Sequence, residues 1–221
     1  MTDLSSIQWP TPGMIGAGEF YLSPSPTPVD VRTVSELAQQ TGERFFYAPL
    51  TIPVRAGTVF AVKAATAVLL GGMKHEVHAI IVRMAESDKF AGCVRLFDIH
   101  AGASAKLGYF FRPDLHGRKL GTQSVLRALD FMTGDEQICE RLGLLRIEAT
   151  FDPDNTASFL ILQKSGFKVT GFLDSVSSPY LGFHGTRRPR VVMTGDIRDD
   201  IMPALSMARS GGHYSRETRV R

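Results

Sequence analysis

"LLRIEATFDPDNTASFLILQKSGFKVTGF" occupies residues 144–172 and changes its hydrophobic period twice. Residues 144–151, LLRIEATF, are mostly apolar over the length of a single strand. "FDPD" follows as a turn, and Asn155 stands where a helix N-cap is expected. Phe159, Leu160 and Leu162 then continue at helical spacing, so a short helix runs over 155–167 and ends at Gly166. "KVTGFLDS" (168–175) returns to a strand. Strand, helix and strand in this order imply a sheet with a helix packed on it.

Upstream, "EVHAIIVRM" (76–84) and "AGCVRLFDI" (91–99) are rich in Val and Ile and flank the turn "ESDKF", a hairpin signature. "AKLGYFFR" (105–112) makes a third strand after the small-residue loop "HAGAS". A helix covers about 120–133; "GDEQ" interrupts it and "ICERLGL" (138–144) resumes it. Further back, Val31, Val34, Leu37 and Ala38 recur at helical spacing over 31–40 with Asp30 as cap, and 55–71 reads as a second helix because Ala and Leu outweigh β-branched residues. Downstream, "RVVMTGDI" (190–197) is the last strand. Strands clustered first and a strand–helix–strand unit later argue for a mixed sheet covered by helices. The dinucleotide fingerprint GxGxxG is also missing from the strand-to-helix turn, which argues with the element order against a doubly wound Rossmann domain.

The 221 residues suit one α/β domain with appendages: a Pro/Ser/Gly-rich lead-in (1–28), a domain over 29–200 and a basic tail (201–221). No run approaches the roughly 18–20 apolar residues of a membrane span. The N-terminus lacks a basic segment followed by an apolar core, so no signal peptide and no membrane partner are expected. Cys93 and Cys139 lack metal-like spacing and read as buried thiols of a cytoplasmic protein. The net charge of +3 gathers at "HGTRRPR" (184–190) and in the tail. A nucleic-acid binder would show a basic face across the domain, so nucleic acid is the lesser partner class.

Between the third strand and the helix at 120 stands His116-Gly117-Arg118-Lys119-Leu120-Gly121-Thr122. The first amides of a helix have no intrahelical partner and sit at the positive end of its dipole. A glycine-containing turn lets them converge on one anion, and Arg118 and Lys119 add charge. Taken alone, the pattern describes an ordinary turn as well as an anion site.

Four blocks in order resemble the GCN5-related N-acetyltransferase (GNAT) family, and more closely its Rim-type branch. They are the LGY strand ending before Pro113, the basic turn, "RIEATFDPDN", and "NTASFLILQKSGF" in the place of N-x-x-S-x-x-x-L-x-K-x-G-F. "PRVVMTGDIRDD" stands where the branch has its last strand. The resemblance implies an α/β (α+β) GNAT fold: a twisted, mostly antiparallel sheet of six to seven strands flanked by about four helices. It also implies acetyl-CoA, or another acyl-CoA, as co-substrate, and no metal. Where the family turn reads Q/R-x-x-G-x-G/A, His116 takes the first place, Lys119 the central glycine's and Gly121 the last; only Gly121 agrees. A side chain at 119 either obstructs phosphate, or adopts a backbone conformation costly for lysine, or lends it an ammonium. The implied CoA-binding set is Phe110, Phe111, Arg112, His116, Gly117, Arg118, Lys119, Leu120, Gly121, Thr122, Asn155 and Ser158, with the first three lining a gap between strands.

Acyl transfer from a thioester to an amine needs a neutral nucleophile, a donor for the oxyanion and a proton for the thiolate. Glu148, a carboxylate in an otherwise apolar strand, is the first candidate base, with the alternative that it points out of the sheet into solvent. Asp98 and His100 on the adjoining strand are alternates, since the glutamate many Rim-type members carry before LGY is Ala105-Lys106 here. Asn155 either holds pantetheine or a water, or caps its helix, or does both. Ser158 matches the branch serine near the thiol, and the tyrosine other branches place four residues on is Leu162. Tyr180, His184, Arg187 and Arg188 in the 174–190 connection are the expected acceptor contacts, suited to an anionic or peptide-like amine. The expected activity is N-acetylation of a protein N-terminus or small amine by a monomer or homodimer. The alternatives are a degenerate GNAT-fold binding protein, or an enzyme modifying a nucleobase or using another acyl-CoA.

Overall fold

The computed structural model describes residues 20–23, 28–41, 78–134, 137–176 and 188–211. The helix expected over 55–71 lies outside them. In chain order the elements are β1 (Phe20–Ser23), α1 (Pro28–Thr41), β2 (His78–Met84), β3 (Phe90–His100), β4 (Ser104–Phe111), α2 (Leu120–Met132), α3 (Ile138–Arg141), β5 (Arg146–Phe151), α4 (Thr156–Lys164), β6 (Lys168–Val176), β7 (Arg188–Asp196) and α5 (Met202–Ser210).

The seven described strands form one sheet in the order β1-β2-β3-β4-β5-β7-β6. Each neighbouring pair is antiparallel except β4 and β5, which run parallel. This is the mixed GNAT-type sheet the resemblance implied. Two elements escaped the sequence reading. β1 lies inside the proline-rich lead-in, where four residues are too few for a period, and α5 lies at the start of the segment read as a tail. Asp30 is not a cap: α1 begins at Pro28, and the buried Asp30 carboxylate stands 2.6 Å from Arg83 of β2. The helix at 138 also stops early, at Arg141, because Gly143 turns the chain with φ 63°.

One face of the sheet carries the main core. Val94 and Leu96 of β3, Ala105, Leu107 and Phe111 of β4, and Ile147, Ala149 and Phe151 of β5 alternate onto it, and Val125, Leu126, Leu129 and Met132 of α2 pack there with Leu162 of α4. The intervening residues, among them Lys106 and Glu148, fall on the opposite face.

The Lys-x-Gly-Phe run at 164–167 owes its glycine to a distant segment. Gly166 has φ +91°, and a Cβ there would lie 2.3 Å from the Asp200 carbonyl oxygen in the turn Ile197–Ile201 that leads into α5. Lys168 Nζ pairs with the Asp200 carboxylate on the same turn. Gly166→Ala therefore combines a left-handed backbone with a collision against main chain. The expected loss is about 2 kcal/mol or more of unfolding free energy, read by denaturant titration.

Candidate active site at the parting of two strands

β4 and β5 pair through only three residues: Ser104 with Arg146, Ala105 with Ile147, and Lys106 with Glu148. Beyond them β4 stays with β3 as far as Phe111 opposite Gly92, while β5 stays with β7 as far as Phe151 opposite Val191. The two strands therefore part, and main-chain groups beyond Lys106 and Glu148 face a gap rather than each other. Alternation decides which groups these are. The Arg112 amide donates to the Ala91 carbonyl on β3 (2.9 Å), so Arg112 and Phe110 turn their main chain toward β3, whereas Leu107, Tyr109 and Phe111 turn theirs toward the gap. This corrects the expected set: of Phe110, Phe111 and Arg112, only Phe111 presents its main chain to the gap.

The side chains agree. Phe110 is buried on the opposite face against the Phe90 ring, 5.8 Å between centroids. Arg112 folds back onto Asp114 (2.7 Å) and the Phe90 carbonyl (3.3 Å), and its guanidinium holds the Asp114 carboxyl below the usual carboxylate range. Leu107 and Tyr109 were missed; the period of two in "KLGYFF" was their available signal, once the pairing partner was known.

At the far end of β4 the chain makes the turn Pro113–Leu115 and then the basic loop. His116 Nε2 lies 3.2 Å from the Phe111 carbonyl, which can only accept, so this nitrogen carries the hydrogen. Gly117 has φ 79° and Lys119 φ 61°, ψ −3°. Lys119 thus adopts a left-handed conformation that favours glycine, and α2 starts directly after it with no side-chain cap. Gln123 is the first residue of the helix to reach back, its amide 3.1 Å from the Lys119 carbonyl. The amides of Leu120, Gly121 and Thr122 consequently have no intrahelical acceptor. They open beside the gap, because Gly121 is packed so closely that an added Cβ would stand 3.3 Å from the Phe111 ring and 3.6 Å from Ile161 of α4.

α4 closes the same side. Asn155 is its N-cap, with its side-chain oxygen 3.0 Å from the Ser158 amide. The Ser158 carbonyl accepts a hydrogen bond from the Tyr109 hydroxyl at 3.3 Å, which spans from β4 to the helix that follows β5. Both Asn155 and Ser158 therefore stand at the helix end of the gap.

The candidate bases gather on the opposite face. Glu148 is half-buried in register between Lys106 of β4 and Thr194 of β7. Its expected apolar surroundings are not found, because it alternates away from Ile147 and Ala149. Asp98 sits at a bulge of β3 with φ 51°, its carboxylate 2.7 Å from Lys106 Nζ and 3.6 Å from His100 Nε2. Lys106 thus pairs with Asp98 and stands in register beside Glu148.

Arg188 opens β7 opposite Val176; Tyr180, His184 and Arg187 lie outside the described residues. Cys93 and Cys139 are buried free thiols whose titration burial pushes up to about 12, which makes them poor nucleophiles. Among the described residues no three His, Cys, Asp or Glu side chains form a metal-holding group, and no helix is long and apolar enough to cross a membrane. Lys119→Gly should relieve a strained backbone and raise unfolding free energy by about 1 kcal/mol at most, as measured by chemical denaturation.

The GNAT acetyltransferase domain model matches residues 24–168. A probable N-acetyltransferase of Bacillus subtilis is 33% identical over 100 residues, covering 44% of this chain and 52% of that relative. The chain thus spans about half the length of the curated relative it matches. RimJ of Mycobacterium smegmatis in complex with CoA-disulfide superposes with a TM-score of 0.62 at 19% identity, covering 89% of this chain and 90% of that one. The ribosomal-protein-S5-alanine acetyltransferase of Vibrio fischeri gives 0.61 at 19%, covering 84% and 97%. Spermidine N-acetyltransferase of Vibrio cholerae in complex with CoA and spermine gives 0.60 at 16%, covering 80% and 95%. At these identities the structural likenesses establish the fold.

Proposed function

Because the chain belongs to the GNAT acetyltransferase family, we propose that it transfers an acetyl group from acetyl-CoA directly to a primary amine, in a ternary complex of both substrates. The observation that carries the reading is the parting of β4 from β5 beside an uncapped helix start. The gap supplies main-chain groups able to hydrogen-bond an extended pantetheine arm and its thioester. The amides of Leu120, Gly121 and Thr122, with the Lys119 and Arg118 cations beside them, suit a pyrophosphate. Lys119 grips rather than blocks, since its left-handed backbone leaves the following amides oriented as a glycine would.

Opposite faces of the sheet divide the proton work. On the face away from α2, Glu148 takes the proton that the attacking nitrogen releases, with Lys106 and Asp98 fixing the local charge. On the α2 face, Asn155 and Ser158 serve the thiol end. The acceptor is a protein N-terminus or a small amine, as in the acetyltransferases of similar fold that act on ribosomal-protein alanine or on spermidine. The Rim-type branch is the closer model, given the match at Asn155, Ser158, Leu162, Lys164 and Gly166. A cytoplasmic setting fits two buried free thiols.

Isothermal titration with acetyl-CoA tests the cofactor half; saturable heat is expected, and none at millimolar ligand would favour a degenerate binding module. Lys119→Gly should weaken that binding several-fold while the fold gains stability. Thiol release across N-terminal peptides, polyamines and aminoglycosides identifies the acceptor. Glu148→Gln should lower kcat by about 10²-fold, the usual scale of general base catalysis, with acetyl-CoA affinity unchanged. An undiminished kcat would transfer the role to Asp98.

A further inference from the structure

Tyr109 reaches the same end of the gap as Asn155 and Ser158, and nothing in the resemblance assigns it a task. It sits on β4 at a position whose main chain faces the gap and whose ring lies on the α2 face, opposite Val94 and 6.2 Å from the Phe111 ring. The ring is half-buried against the core, so its orientation is set by packing. Its hydroxyl reaches across from β4 to the first turn of α4, where it donates to the Ser158 carbonyl at 3.3 Å. That distance is long for an O–H···O bond, and the carbonyl is also placed to accept the helical bond from Leu162. The phenol proton is therefore held weakly and can be re-aimed at little cost. The Ser158 amide donates to the Asn155 side chain, which fixes that residue in the first turn of the helix. Four residues on, α4 offers only the buried Leu162.

We propose that Tyr109 is the proton donor to the departing thiolate. The inference rests on the acyl-transfer reading above. In the step, the amine nitrogen forms a bond to the thioester carbonyl carbon and the carbon–sulfur bond breaks, its electron pair leaving on sulfur. The Tyr109 Oη–H proton passes to that sulfur to give the free thiol, and the nitrogen's surplus proton passes to the Glu148 carboxylate. After the products leave, solvent returns a proton to the phenolate and takes one from Glu148, so the enzyme is unchanged. Burial, which raises the phenol's titration well above its ordinary value, keeps the donor protonated between turnovers. The Ser158 hydrogen bond acts the other way, more weakly.

The test is Tyr109→Phe in the full chain, which keeps the ring and removes only the hydroxyl. Acetyl-CoA affinity by titration should stay within about threefold of wild type. Both kcat and kcat/KM should fall together, by about 10²-fold, since the interaction is made only in the transition state. Three results would overturn the assignment: a kcat within about threefold of wild type, a raised KM with kcat preserved, or a larger loss for Ser158→Ala than for Tyr109→Phe. A wild-type protein that neither binds acetyl-CoA nor releases thiol with any amine overturns the acyl-transfer reading itself, and the role of Tyr109 with it. Active wild type alongside active Tyr109→Phe removes only the tyrosine's role.

Discussion

Parallel pairing of β4 with β5 holds for three residues and then fails, and the arrangement of the site depends on that failure. Each strand has a stronger antiparallel commitment on its other side, β4 to β3 and β5 to β7, and the twist of the two halves draws them apart. The opening leaves main-chain groups in the middle of a sheet without a facing strand; His116 meets the Phe111 carbonyl, and such groups are costly unless a side chain, a ligand or solvent meets them. An extended, amide-bearing arm is a natural partner, because it can satisfy those groups as a short strand would.

The parting also divides the chemistry. Alternation places Glu148 and Lys106 on one face, where Asp98 joins Lys106 from the β3 bulge, and Tyr109 and Phe111 on the other, where the Tyr109 hydroxyl meets the start of α4. Asp98 and Lys119 both occupy left-handed conformations, the first at the bulge beside the candidate base and the second at the head of α2. Strained residues outside glycine persist where surrounding structure enforces them, and such positions gather at functional sites.

Much of this was legible from residues. The hairpin β2–β3, the β5–α4–β6 unit and the helix at 120 each carry a local period strong enough to read without tertiary context. The basic turn and Asn155 could be located from spacing, and Lys119 could be recognised as the residue out of pattern. Other features could not be read. β1 is too short for a period; it is a strand because β2 offers it an edge. Glu148 looked apolar in its surroundings because its sequence neighbours are, but its spatial neighbours are Lys106 and Thr194. Phe110 and Arg112 were assigned to the gap because they lie in the right stretch, and the pairing of Arg112 with Ala91 turned them away from it.

The sequence by itself determined the order of the central elements and the location of the anion-suited turn, because these follow from local periodicity, glycine and cap chemistry over a few residues, and its motifs carried the resemblance to the family. Only the tertiary structure decided which side of each strand faces the gap, which carboxylates share a face and that Tyr109 reaches α4. Those depend on register between strands far apart in the chain, where a shift of one residue exchanges the two faces and the sequence within one strand is silent about its partner.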